Sequence, residues 1–145
     1  LGDFLRSHSQ YEIIIAGKDE CASAPSQATR SYFREIRSSF DSLKFRESYV
    51  LHLNQGKVIY ERHDRGRITY DSPGKKPVRV RSGGLFAGNV ASISVDGREM
   101  ALNGRGLNVV VLDQSRNVVA SAVFDTFADD REHPLFVRGS FLPPK

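Results

Sequence analysis

The hydrophobic positions change their period along the chain, and each change predicts an element. Leu1, Phe4, Leu5 and His8 share a helical face over barely two turns, which predicts the end of a short helix across residues 1–8. Ile13-Ile14-Ile15-Ala16 is an unbroken apolar run of strand length, as expected of a strand covered on both faces. It runs into Gly17-Lys18-Asp19-Glu20, which reads as a polar turn. Ser26 stands where a cap is expected, and Phe33, Ile36, Phe40 and Leu43 follow at i, i+3, i+7 and i+10, predicting one amphipathic helix. Arg30, Arg34, Glu35 and Arg37 fill its wet side. Tyr49, Leu51 and Leu53 then alternate with Val50 and His52, and the turn Asn54-Gln55-Gly56 leads into a partner strand around Val58 to Tyr60.

Residues 54–84 read as a basic linker. The stretch from Asp64 is polar and punctuated by Pro73, Gly74, Pro77, Gly83 and Gly84, with at most one short strand at Val78 to Val80. Strands follow at Ala91 to Val95, Glu99 to Leu102, Leu107 to Leu112 and Val118 to Phe124, with turns at Asp96-Gly97 and Gln114 to Asn117. Pro134, Pro143 and Pro144 make residues 128–145 an irregular or edge-like tail. Helices in the first half and strands in the second indicate an α+β chain.

At 145 residues, with 39% hydrophobic and 26% charged positions, the chain can bury one real core without staples. Its apolar runs fall far short of the roughly 20 residues a membrane-spanning helix needs. It begins Leu1-Gly2-Asp3, without a leader, and is expected to be a processed protein or a piece of a larger one. The single cysteine, Cys21, excludes an internal disulfide and a Cys-rich metal cage. Between Asn54 and Ser82, eight Lys/Arg (Lys57, Arg62, Arg65, Arg67, Lys75, Lys76, Arg79, Arg81) face three acids (Glu61, Asp64, Asp71). Such a ribbon suits phosphates or anionic headgroups, or it is simply a solvated connector; without an aromatic platform or nucleic-acid motif, no nucleic-acid partner is expected.

Enzyme templates mostly fail. His8, His52, His63 and His133 lack metal-ligand spacing, and there is no nucleophile elbow or Walker loop. Gly104-Arg105-Gly106 precedes a strand instead of opening a helix, and the neighbouring carboxylates Asp19/Glu20 and Asp129/Asp130 do not span a substrate as glycoside hydrolysis requires. The chain is expected to be non-catalytic and to need no cofactor.

Five segments together resemble a known family. Gly88 to Gly97, Asn103-Gly104-Arg105-Gly106-Leu107-Asn108-Val109-Val110-Val111-Leu112-Asp113 and Val123-Phe124-Asp125-Thr126-Phe127 resemble the first half of the interleukin-like EMT inducer domain, also called the PANDER-like lectin domain. Ile14 to Glu20 and Leu43-Lys44-Phe45-Arg46-Glu47-Ser48-Tyr49 resemble its second half. The order is reversed: residues 1–53 carry the family's second half and 85–127 its first. Either one domain is circularly permuted, joined through residues 54–84, or the chain holds the end of one unit and the start of another. We take the permuted reading, since permutation is tolerated where termini lie close at the surface.

The resemblance implies two mainly antiparallel sheets packed as a sandwich with flanking helices, found in secreted signalling-like proteins and in the sugar-binding stem module of an O-mannose N-acetylglucosaminyltransferase. There a sugar is held by the arginine of Gly-Arg-Gly, the aspartate of Lys-Asp-Glu and an arginine before a later strand, matching Arg105, Asp19 and Arg46 here. Glu20, Glu47 and Tyr49 are the implied accessory contacts. Two departures stand out: Glu47 replaces an aspartate, and Tyr49 replaces a tryptophan, so any stacking platform is smaller. Cys21 alone cannot form the disulfides of the animal secreted members, which suits a bacterial or otherwise divergent one.

The chemistry fits without the family: a carboxylate accepts from two sugar hydroxyls while a guanidinium donates in a planar fork. Alternatively, Arg46 and Arg105 tie loops together through Asp19, Glu47 or Asp113, and Asp125-Thr126 caps a turn. The expected function is a carbohydrate-binding accessory module of a larger glycan-processing or glycosyltransferase protein, extracytoplasmic, with a glycan end group as partner, possible docking on the parent's catalytic domain, and membrane contact only through the parent. The alternative is a protein-interaction or secreted signalling-like domain without sugar binding.

Overall fold

A computed structural model describes residues 1–20, 22, 25–126 and 136–139, the last four by their backbone. The elements in chain order are α1 (Gly2–Ser7), β1 (Glu12–Asp19), α2 (Gln27–Glu35), a 3-10 turn (Phe40–Ser42), β2 (Ser48–Asn54), β3 (Lys57–Asp64), β4 (Ile68–Ser72), β5 (Val78–Gly84), β6 (Val90–Val95), β7 (Arg98–Glu99), β8 (Gly106–Leu112), β9 (Val118–Phe124) and β10 (Phe136–Gly139). Cys21, Phe127, Asp129, Asp130, His133 and the three prolines of the tail lie outside the described residues.

The architecture is α+β, and its spine is β1. Along Glu12–Ala16 it pairs antiparallel with β2, along Glu12–Lys18 antiparallel with β8, and at Lys18 and Asp19 parallel with Gly83 and Gly84 of β5. One layer therefore runs β10-β9-β8-β1-β2-β3, and a smaller layer of β4, β5, β6 and β7 grows from the β1–β5 junction. The two expected sheets are thus one hydrogen-bonded, branched sheet that packs against itself.

Alternation along β1 decides where each apolar group goes. Ile13 and Ile15 face α1, α2 and the 3-10 turn, in a core with Leu1, Leu5, Phe33, Phe40, Tyr49, Leu51, Leu53, Leu107, Val109 and Phe124. Ile14 and Ala16 face the smaller layer, in a second core with Val50, Val110, Leu112, Ile68, Val78, Val80 and Ile93. The large layer is buried on both faces, which is why its central strands are apolar at consecutive positions instead of alternating.

The expected linker is structural. Val78 and Val80 are buried while Arg79 and Arg81 are exposed, so β5 has the period-2 pattern of a half-covered strand. Of the residues that suggested a linker, Pro73, Gly74 and Pro77 occupy the β4–β5 connection, and Gly83 and Gly84 end β5. The basic ribbon is divided among β3 (Lys57, Arg62), the connections either side of β4 (Arg65, Arg67, Lys75, Lys76) and the exposed positions of β5 (Arg79, Arg81), where Arg79 Nε donates to Asp71 Oδ1 at 2.7 Å.

Smaller corrections follow from local chemistry. The long helix expected from Ser26 to Leu43 ends at Glu35, although Ser26 caps it as expected by accepting from Thr29 N at 3.2 Å. Arg37 takes φ 60°, its N–H donates to Arg34 O, and Ser38 N donates to Phe33 O at 2.9 Å, a Schellman closure. Phe40 reaches the same core from the 3-10 turn by stacking on Phe33, ring centroids 4.3 Å apart. Gly17–Asp19, expected as a turn, extends β1, and the Glu99–Leu102 strand shrinks to β7. The tail read as irregular or edge-like contributes the edge strand β10.

A buried polar clasp joins the layers at the start of β1. His52 Nε2 meets Glu12 Oε2 at 2.5 Å, and His52 Nδ1 meets the Tyr70 hydroxyl at 2.8 Å. Arg116 donates to both Glu12 oxygens at 3.1 Å, to Ser72 Oγ at 2.7 Å and to the carbonyls of Ser72, Pro73 and Lys76. Burial alone raises the Glu12 carboxyl; hydrogen bonds from His52 and Arg116, with their charges, overcome it and bring it down to about 2. The Tyr70 ring stacks on Tyr60, centroids 3.9 Å apart.

Candidate functional site

The opposite end of β1 gathers the three residues expected to grip a sugar. Asp19 closes β1 and takes φ 62°, a left-handed conformation that carries strain in a non-glycine residue. Because Lys18 pairs with Gly106, the next step along both strands sets Asp19 beside Arg105. On the other edge Asp19 pairs with Gly84. A Cβ on Gly84 would stand 2.0 Å from the Arg46 carbonyl oxygen, so only glycine lets the turn carrying Arg46 come down onto the strand end.

Arg46 Nη1 donates to Asp19 Oδ1 at 2.6 Å, with about a quarter or less of each side chain exposed (21% and 24%). Arg46 itself takes φ 59°, and its N–H donates to Glu20 Oε1 at 2.6 Å. Arg105 forks onto Asp125: Nη2 to Oδ2 at 2.6 Å and Nε to both oxygens at 3.1 and 3.2 Å. The hydrogen bond to Asp125 holds the Arg105 guanidinium above its ordinary range, and the charges of Asp125 and Asp19 add to that. Asp19 is thus bonded to Arg46, while Arg105, at the facing strand position, has Asp125 as its own partner.

Comparison of the chain with protein-family models, with curated proteins and with solved structures finds no match. The site must be read from its own chemistry. Two ion pairs, Arg46–Asp19 and Arg105–Asp125, offer carboxylate acceptors and guanidinium donors side by side, the complement of a diol.

The expected accessory residues do not form its wall. Tyr49 is fully buried in the helix-side core and donates its hydroxyl to Glu61 Oε2 at 2.6 Å, so it cannot stack on a ligand. Glu20 is buried and accepts from Arg46 N and Ala22 N. Glu47 is buried too, accepting from Lys44 N at 2.7 Å and meeting His63 Nδ1 at 3.0 Å. These carboxylates shape the loop beneath the arginine. Burial follows from position: Tyr49 lies on β2 in the face that packs against Phe40.

Sequence reading missed three residues here. Asp125, taken as a turn residue, is the partner of Arg105; the β8–β9 hairpin, pairing Leu107 with Phe124, brings it there. Phe45 and Phe86 flank the Arg46 guanidinium, its Cζ lying 4.6 Å and 5.9 Å from their ring centroids. The Arg46–Asp19 pair is also one of the loop ties that the alternative reading expected; Asp113 accepts from Ser115 N and Asn117 N in the β8–β9 turn. Among the described residues no group of three His, Cys, Asp or Glu is placed to hold a metal ion.

Proposed function

We propose that the chain is a non-catalytic, lectin-like module that grips a glycan end group through Asp19, Arg46 and Arg105, and that it serves as an accessory domain of a larger glycan-processing or glycosyltransferase protein outside the cytoplasm. The observation that carries the reading is the Arg46–Asp19 ion pair at one end of β1, with Arg105 at the facing position one step beyond the Lys18–Gly106 pair. These residues come from three distant stretches of chain that strand pairing and the turn at Gly84 bring to one end of β1.

The same arrangement supports a circularly permuted PANDER-like domain. Strand β1 of the leading segment pairs on one side with β2 and on the other with β8 of the trailing segment, so both halves of the resemblance share one sheet. A single shallow polar site binds weakly, because sugar hydroxyls give up good hydrogen bonds to water; attachment to an enzyme then raises its effective concentration.

The test is a glycan array followed by NMR titration of the chain, repeated with Arg105→Ala and Asp19→Ala. Binding by the parent, lost in both variants while their spectra stay dispersed, is the expected result. A parent silent against a broad panel of sugars overturns the reading in favour of a protein-interaction domain. A monomer in light scattering is expected for the permuted unit, and a strand-exchanged dimer overturns it.

A further inference from the structure

Phe86 and Phe45 are the most exposed large apolar side chains among the described residues, 82% and 64% open to solvent. They come from separate segments, yet both rings lie against the Arg46 guanidinium. Neither belongs to the two cores. The loop carrying Phe86 is tied down: Leu85 N donates to Asp19 O at 3.2 Å, and Ala87 N and Asn89 N both donate to Gly84 O, at 2.9 and 3.0 Å. A loop so hooked presents Phe86 outward by construction, and its anchor is the backbone of the site residue Asp19 itself.

Resting on the sugar-binding reading above, we propose that Phe45 and Phe86 form the apolar wall of the site and make it select an uncharged pyranose over an acidic one. A pyranose carries C–H groups on its faces and hydroxyls around its rim. Aromatic rings accept the first, and an ion pair accepts the second, since a hydroxyl both donates to a carboxylate and accepts from a guanidinium. Acidic sugars fit poorly because each arginine is already neutralised: Arg46 bonds Asp19 and Arg105 bonds Asp125. A sugar carboxylate would lie beside these two carboxylates, and like charges at that range repel. The wall also supplies the stacking surface that buried Tyr49 does not.

Calorimetric or NMR titration of the full chain with the methyl glycosides of glucose, galactose, mannose and glucuronic acid tests this. At least one neutral glycoside is expected to bind, about three- to tenfold more weakly in Phe45→Ala and in Phe86→Ala. Phe86→Tyr is expected to keep its affinity. The glucuronide should bind about fivefold or more below the matching glucoside. Because both rings are exposed, circular dichroism and thermal midpoint should not move, which separates lost contact from lost fold. Parent-like affinity in both alanine variants, or equal or tighter binding of the glucuronide, overturns the wall while leaving the lectin reading intact. A parent that binds no sugar overturns both, and self-association lost in Phe86→Ala then assigns the rings to a second copy of the chain.

Discussion

Asp19 and Arg105 occupy facing positions one step beyond the Lys18–Gly106 pair that ends the β1–β8 ladder, and the guanidinium of the second is held above its ordinary range chiefly by its hydrogen bond to Asp125, with the charge of Asp19 a lesser cause. The coupling is indirect in the hydrogen-bond sense described for Arg105, whose fork rests on Asp125. Asp125 therefore positions the arginine that the sugar would meet.

Asp125→Asn keeps the shape of the side chain but removes the charge that anchors the fork. Sugar affinity is expected to fall about three- to tenfold, with the thermal midpoint little changed because the Arg105 side chain is 42% exposed. Arg105→Lys should fare no better, since an ammonium cannot span both carboxylate oxygens. Titration of both variants beside the parent checks this, and parent-like affinity in Asp125→Asn would remove the positioning role.

Acid sensitivity should centre on the clasp. The Glu12 carboxyl sits at about 2 in the folded chain against 4.5 for an ordinary one. A depressed pKa gives stability that is fully present above about 4.5 and is lost as pH falls from there towards about 2. The linkage is nominally about 3 kcal/mol, and solvent screening reduces the expected contribution to about 1–2 kcal/mol. Urea denaturation should place Glu12→Gln below the parent by that amount at pH 7, with the gap closing towards pH 2; a constant gap would show that the carboxylate charge is not the source.

Gly84→Ala puts a methyl group on the Arg46 carbonyl, 2.0 Å away where no Cβ can stand. The turn must lift, so the variant should lose about 2–4 kcal/mol in denaturant unfolding and its sugar affinity together. Gly56→Ala is the control for stability, because nothing lies within 4 Å of its added carbon, although its φ of 78° brings some strain of its own.

Val80→Ala decides between connector and layer for residues 54–84. Val80, on β5 between β4 and β6, is fully buried in the core between the layers, and deleting its methyl groups should cost about 1–3 kcal/mol in chemical denaturation. A connector would lose nothing.

The sequence disclosed what depended on a period and hid what depended on a junction. The run Ile13–Ala16 was legible as a doubly covered strand, and Leu107–Leu112 as a strand, because consecutive apolar residues have few other uses in a chain of this length. The β4–β5 hairpin was obscured because β5 alternates valine with arginine directly after Pro77 while β4 is mostly polar, and polarity outweighed period. Phe40 and Leu43 continued the helical spacing of Phe33 and Ile36 by coincidence: a left-handed Arg37 ends the helix and a second turn restores the register to the core. At the site, Asp19, Arg46 and Arg105 were found through a motif resemblance, and their convergence follows from strand pairings. Asp125 was within reach, because the register that pairs Leu107 with Phe124 sets it opposite Gly106, the neighbour of Arg105. Phe45 and Phe86 were not, since exposure of an aromatic ring is decided by loop closure at Gly84 and carries no signal in spacing.

The Tyr60–Tyr70 stack gives the clasp an optical readout. With no tryptophan to mask them, the five tyrosines dominate the near-ultraviolet signal, and this pair is held face to face at 3.9 Å and 11° on the strands that Glu12, His52 and Arg116 draw together. Parting of the two layers separates the phenols, so intrinsic emission and near-ultraviolet dichroism can follow that motion in the unlabelled chain.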